Sequence, residues 1–353
     1  KDISAGGIGA SHLMVQKLGL PGIINQKVPL LKLNLPYTES DHVLNIAYNL
    51  LAGGTRMEHI ENRRQDEVFL DALGAQRIPD PTTARDFCQR FDEASVLALM
   101  EAINEARLKV WAQQPEAFFE EAVLDADGTI AATTGECKQG MERTYDGQWG
   151  FHPLVLSLSN THEPLYLVNR SGNRPSHEDA YLYYDRAIAL CRRAGFRRIT
   201  LRGDTDFSQT KQLDRWDKDT VEFIFGYDAQ PNLVALAERL PAEAWKKLER
   251  PRAEPAARPR QRPENVKQDL VEAHEYENLR TEEEFVAEFP YRPTACKRAY
   301  RMVVTRKRVS VHRGQQYLLD KTPMYFHITN KTEPTAEQIV LAPQGSDGRC
   351  NHE

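Results

Sequence analysis

EAVLDADGTI (residues 121–130) and RRITLRGDTDF (197–207) decide how this chain folds. Each is a short apolar run that closes on an Asp beside a Gly: Asp127 precedes Gly128, and Asp204 follows Gly203. Runs of this length and character read as buried strands with a polar residue at the end. Working outward, FHPLVLSLSN (151–160) and EPLYLVNR (163–170) are two further strands, parted by the turn-prone Ser159-Asn160-Thr161. HEDAYLYYDRAIALCRRAGFR (177–197) reads as a helix, with Ala180, Tyr184, Ala187, Ile188 and Cys191 on one face and Gly195 as its stop. VEFIFGY (221–227) supplies a fifth strand. The order is three strands, a helix and two strands, which is an α/β mixed sheet whose first three strands form a meander.

The segments on either side differ in character. The first hundred residues read as helical. Ser40 is placed to cap a helix with Val43, Ile46, Ala47, Leu50 and Leu51 on one face, stopped by Gly53-Gly54. Pro79-Asp80-Pro81-Thr82-Thr83 starts a second helix through ARDFCQRFD, and Ser95 opens a long amphipathic one reaching Trp111. Short helices with tight turns suit a helix-turn-helix-like DNA module, and equally any small bundle. Beyond residue 250, PRAEPAARPRQRP (251–263) is extended, and TEEEFVAEF (281–289) is expected to be helical. AYRMVVTRKRVSV, QQYLLD and MYFHITN then read as strands of a β-rich segment, with Arg313-Gly314 as a turn.

Composition narrows the function classes. At 353 residues the chain has room for two or three domains, and no apolar run is long enough to span a bilayer, so no membrane partner is expected. Its first residues do not read as a signal peptide. The chain lacks an initiator Met and stops on Glu353, so both ends are expected to be cuts in a longer protein. Five scattered cysteines without a CxxC pair suggest neither a zinc ribbon nor a disulfide framework, and fit a reducing cytoplasm. Net charge is −5, yet Tyr291 to Gly314 holds eight Lys or Arg and no Asp or Glu. Arg298, Arg301, Arg306, Lys307 and Arg308 belong to this stripe, which suits a phosphate backbone locally and is otherwise a solvated basic face.

The chemistry lies in the carboxylates. Alternation along a strand puts Asp125 and Asp127 on one face, and Gly128 lets the chain turn away beyond Asp127. If the strands ending in Asp127 and Asp204 are parallel neighbours, the two carboxylates can share a hard divalent cation. Two such ions about 3.5–4 Å apart serve in-line phosphoryl displacement. A lone Asp-Gly at a strand end is more often a turn residue, and both readings stand on the residues alone. Asn169, Arg170, Asn173 and Arg174 either meet phosphates or build the loop entering the helix. His177 beside Glu178 reads as a hydrogen-bonding loop histidine, and Trp149, Trp216 and Trp245 as core residues rather than base-stacking ones.

The stretch from VLDADGT through FHPLVLSLSNTHEPLYLVNRSGNRPSHEDA to AGFRRITLRGDTDFS resembles the DDE transposases of bacterial insertion sequences. The group it resembles has an RNase H-like core interrupted by a β-rich insertion domain and preceded by a helical DNA-binding region. Asp127-Gly128-Thr129 matches the first Asp of that family, with Asp125 as a near neighbour, and Asp204 in its RGD context matches the second. Arg349 and Glu353 reproduce the spacing of the family's Arg and third carboxylate, although Ser346 stands where a Tyr is common. The resemblance implies a helical end-recognition region at 1–114 and a first part of the catalytic core at 115–228. A basic insertion domain would occupy 229–340, and the start of the final catalytic helix region 341–353. It further implies Asp127, Asp204 and Glu353 as catalytic and metal-binding residues, and Mg2+ as the cofactor with Mn2+ as a substitute. Arg298, Arg301, Arg306, Lys307, Arg308 and Arg349 would contact double-stranded DNA, both terminal inverted repeats and target. A homodimer in the DNA complex and a cytoplasmic, nucleoid-associated location follow from the same resemblance. The expected activity is cutting at the element's ends and joining to target DNA, the alternative being a catalytically inactive DNA-binding fragment.

Overall fold

The computed structural model describes residues 5–32, 36–135, 138–250, 277–313 and 316–342. Two compact units divide the chain, one over residues 1–119 and the other over 120–353.

The first unit is helical, as expected. It contains α1 (Ile8–Leu18), α2 (Leu20–Lys27), α3 (Glu39–Leu51), α4 (Ile60–Arg64), α5 (Glu67–Ala72), α6 (Pro81–Cys88) and α7 (Glu93–Trp111). Ile8, Leu44, Tyr48, Ile60, Phe69, Ile78 and Ala84 form one core cluster, and Ile24, Val28 and Ala102 another. Asp80 caps α6 as its sequence suggests, accepting from the Thr83 amide at 2.9 Å. The cap of α3 is Thr38 rather than Ser40: Thr38 and Asp41 form a reciprocal capping box. Asp92 caps α7, with Ser95 as the box partner inside the first turn.

The buried face of α3 also differs from the apolar stripe. Leu50 and Leu51 are exposed, while His42, Asn45 and Asn49 are buried. The physical reason is that tight loops bring backbone acceptors to this face. Asn45 donates to the Pro79 carbonyl at 3.0 Å and Asn49 to that of Arg56 at 3.1 Å, and the His42 ring stacks on Phe87 with centroids 4.5 Å apart.

The second unit is built on one large mixed sheet. Its strands are β1 (Glu121–Gly128), β5 (Leu154–Leu158), β6 (Glu163–Val168), β7 (Arg198–Gly203), β8 (Glu222–Tyr227), β9 (Lys246–Lys247), β10 (Glu277–Tyr291), β11 (Tyr300–Arg313), β12 (Gln316–Lys321) and β13 (Met324–Thr329). The spatial order is β6-β5-β1-β7-β8-β13-β11-β10-β9, with β12 beside β11. β1 is antiparallel to β5 and parallel to β7, and β7 is parallel to β8. The expected α/β mixed sheet is therefore present. Helix α8 (Ala180–Ala194) buries Ala180, Tyr184, Ala187, Ile188 and Cys191, and ends on Gly195 at φ 99°, as its periodicity predicts. α9 (Leu213–Lys218), α10 (Pro231–Glu238) and α11 (Ala336–Leu341) complete the unit's α-helices among the described residues.

Two features depart from the sequence reading. Between β1 and β5 the chain builds a separate small sheet in the order β2 (Ala131–Ala132), β4 (Trp149–Phe151), β3 (Glu142–Arg143), so the first link of the meander is long. TEEEFVAEF is strand, not helix: it lies within β10, where Glu283 faces Arg308 and Glu284 faces Lys307 across the ladder. Cross-strand charge pairing outweighs the helical propensity of the Glu run. The β-rich segment is continuous with the core sheet, because β13 pairs with β8 from Phe326↔Tyr227 to Thr329↔Ile224.

Candidate active site

Ala126 on β1 stands opposite Gly203 on β7 in a parallel pair. Asp127 and Asp204, each the next residue, thus sit at the same edge of the sheet on strands about 4.8 Å apart. Both side chains are exposed. Asp204 nonetheless titrates high, at about 6, because partial desolvation penalises its charge and the negative charges of Asp206 and Asp127 add to it. Asp127 is also raised, first by desolvation and further by Asp125, against the lowering effects of the Gly128 amide and His152.

Local sequence explains the placement. Asp204 Oδ1 accepts the Asp206 amide at 3.0 Å, which turns the chain out of β7 into a single 3-10 turn at Thr205–Phe207. That turn packs so tightly that a Cβ on Gly203 would lie 2.6 Å from Phe207 Cβ, and one on Gly226 2.6 Å from the Thr205 nitrogen. Gly128 is needed for close approach rather than for a turn. It is the last residue of β1, and a Cβ there would lie 2.8 Å from His152 Nε2.

Asp125 has a different environment. Arg202 grips both its oxygens, Nε to Oδ1 and Nη2 to Oδ2, each at 2.7 Å, and Nη2 also donates to Ser159 Oγ at 2.8 Å. Both residues are buried. The two Asp of LDADG are therefore unlike: one is held in an internal ion pair, and the other is open at the sheet edge.

His152 was not legible as a site residue. It is buried, its Nδ1 lies 3.0 Å from the Arg174 carbonyl, and its charge bears on Asp127. The only sequence hint is its place at the start of FHPLVL, directly before a strand. The loop that follows β6 is held by Arg170, which donates to the carbonyls of His152, Ser176 and Glu178 at 3.1, 3.0 and 3.0 Å. Arg174 pairs with Glu178 at 2.5 Å. His177 is exposed and contributes its carbonyl to Gln209 Nε2 at 3.0 Å. Trp216 is a core residue bonded to Asp185 at 2.9 Å, Trp245 lies 4.1 Å beneath Arg306, and Trp149 is exposed, against the core role expected of it.

Three members of the basic stripe are matched by acids from elsewhere in the chain. Arg298 pairs with Asp217, and Lys307 lies 3.7 Å from Glu284. Arg301 pairs with Glu288 at 2.5 Å and also donates to the carbonyls of Pro334 at 2.5 Å and Lys331 at 3.3 Å. Arg306 lies over Trp245 and Phe285, and Arg308 is exposed. Arg349 and Glu353 lie outside the described residues.

Among the described residues, no group of three or more His, Cys, Asp or Glu is arranged to hold a metal ion. Two neighbouring carboxylates with raised affinity for positive charge do suit a hard divalent cation, which is commonly held by one or two carboxylates with water and substrate phosphate. A cavity of about 450 Å³ lined by Glu121, Thr200, Arg202 and Lys331 lies toward the opposite end of β1 and β7 and does not include the Asp127–Asp204 edge. No helix among the described residues is long and apolar enough to cross a membrane.

Comparison with known proteins adds the family. No curated protein matches the chain. Among solved structures, it is similar to the piggyBac transposase in a cryo-EM synaptic complex with hairpin DNA, at 11% identity and a TM-score of 0.39. That match covers 92% of this chain and 61% of the transposase chain, so this chain spans about three fifths of that protein's length. The model of the family described as "Transposase DDE domain group 1" matches residues 6–341, nearly the whole sequence, and the chain belongs to that family.

Proposed function

We propose that this chain is a metal-dependent DNA-cutting and DNA-joining enzyme that acts at the ends of a mobile element, with Asp127 and Asp204 as its paired carboxylates. The observation that carries the reading is their juxtaposition: two exposed aspartates end adjacent parallel strands, and the charge of Asp127 adds to the raised proton affinity of Asp204. Two carboxylates that repel each other at a sheet edge are suited to a shared cation. Asp127 and Asp204 would hold a divalent metal, Mg2+ with Mn2+ as a substitute, and Glu353 would supply a third carboxylate. A bound divalent cation supplies charge neutralisation at the phosphoryl oxygens and lowers the pKa of a coordinated water.

The chain's own residues do the positioning. The Asp206 amide orients the Asp204 carboxylate by holding Oδ1. Arg202 occupies both oxygens of Asp125, so Asp125 is not free to take up a cation. The core order β6-β5-β1-β7-β8 accords with the RNase H-like reading. Double-stranded DNA is the proposed partner, comprising terminal inverted repeats and target, and two copies of the chain would bring two ends together. Exposed members of the basic stripe, Arg292, Lys297, Arg298 and Arg308, are the proposed phosphate contacts.

The test is Asp204→Asn in the full protein, assayed with DNA carrying the element's flanking repeats. End binding should stay within about twofold, since one carboxylate contributes little to phosphate contact. Magnesium-dependent cleavage should be lost by on the order of a thousandfold or more. Unchanged cleavage would remove Asp204 from the mechanism. Binding without cleavage in the unmodified chain would point to the DNA-binding reading instead.

A further inference from the structure

The small sheet between β1 and β5 is not used by the carboxylate chemistry, and it carries an unusual surface. Tyr145 is 82% exposed and Trp149 54% exposed, although aromatic side chains of this size are ordinarily buried. They belong to one tight hairpin. Thr144 and Gly147 close the turn through a backbone bond of 2.9 Å, and the Asp146 carboxylate accepts from Thr144 Oγ1 at 2.5 Å and from Gln148 Nε2 at 2.6 Å. The aromatics therefore flank a hydrogen-bonded turn. Trp149 is the direct cross-strand partner of Arg143, so an indole and a guanidinium share one face.

This hairpin lies beside the carboxylate edge. The Tyr145 ring is 5.9 Å from the ring of His152, and His152 Nε2 abuts Gly128, the neighbour of Asp127. The other three tryptophans are accounted for: Trp111 and Trp216 are buried, and Trp245 lies under Arg306.

We propose that the β3–β4 hairpin is a stacking platform for unpaired nucleobases of the DNA strand presented to the Asp127–Asp204 edge. The inference rests on the DNA-processing reading above and adds to it the form of the substrate, a strand with bases out of the duplex. Exposed aromatic faces beside a cation are what such a strand requires: bases stack on the rings whatever their sequence, and Arg143 meets a phosphate. A paired duplex has no free base faces along its length and gains nothing from this surface.

The test compares an oligothymidylate of about 20 nucleotides with a duplex of similar length, with the metal removed by EDTA, using the full chain. Binding of the single strand should quench the fluorescence of Trp149, identified as the signal lost in Trp149→Phe. Tyr145→Ala and Trp149→Ala should each weaken single-strand binding by about tenfold, with duplex binding changed by less than about twofold. Tyr145→Phe and Trp149→Phe should retain most of the affinity, because a phenyl ring still stacks. The proposal is overturned if the unmodified chain does not bind the single strand or binds it without quenching. Unchanged affinity in the alanine variants, or equal loss on both DNA forms, also overturns it. The wider reading is judged separately by magnesium-dependent cleavage, which can succeed while the stacking proposal fails.

Discussion

Asp204 links site chemistry to stability. Its pKa is raised from 3.8 to about 6, so between those values the folded chain holds more protons than the unfolded one. The stability that this protonation contributes is fully present below 3.8 and is lost as pH rises through about 6. Metal-free protein should accordingly lose thermal stability across that window, and Asp204→Asn should flatten the slope and melt higher at pH 7. A variant with the wild-type slope would show that another group sets it. Asp125 contributes instead through its ion pair with Arg202. Its loss strands the buried Arg202 guanidinium, so Asp125→Ala should cost about 3–5 kcal/mol of stability, and Asp125→Leu with Arg202→Met should recover much of it. Denaturant unfolding of the three proteins would measure both effects. The sequence shows two Asp two residues apart and offers both as candidates. It does not show that one of them meets an Arg 77 residues further along the chain.

At the scale of elements, the β10–β11 ladder changes what the basic stripe means. A window of sequence counts charges along one strand, but strands present charge to their neighbours. Glu284 faces Lys307 and Glu283 faces Arg308 across the ladder, and Glu288, 13 residues before Arg301, meets it from the neighbouring strand. Arg301→Ala removes one ion pair and two bonds to carbonyls, and should lower stability by about 1–3 kcal/mol in denaturant unfolding. Arg308→Ala, at an exposed position, should reduce the salt slope of DNA binding by about one. If both variants alter the salt slope equally, the pairing seen for Arg301 does not hold it away from DNA. The helix α8, by contrast, was legible in full, because its apolar period, its stop glycine and its buried face are all local properties of one segment.

At the scale of the molecule, β13 is the strand that joins the β-rich segment to the core sheet. His327 sits in its middle, opposite Gly226 on β8 and Val303 on β11. Burial lowers its pKa from 6.5 to about 4, so the folded chain resists protonation that the unfolded chain accepts. Stability should therefore fall as pH drops from 6.5 through 4, and His327→Leu should remove that part of the acid sensitivity. Thermal melts between pH 4 and 7 would check it. A His327→Leu protein as acid-labile as the parent would place the sensitivity elsewhere.

By itself the sequence determined the helical first unit, the five core strands with their helix, and the two Asp-Gly strand ends that mark the candidate site. These are written in local periodicity and turn chemistry, which depend on residues a few positions apart. Only the tertiary structure decided that β1 and β7 are parallel neighbours, which brings Asp127 to Asp204. It likewise decided that Arg202 takes Asp125, that β10 answers the basic stripe, and that Tyr145 and Trp149 remain exposed. Each of those outcomes depends on strand order and register, which couple residues tens of positions apart through hydrogen bonds and packing that no short window of sequence contains.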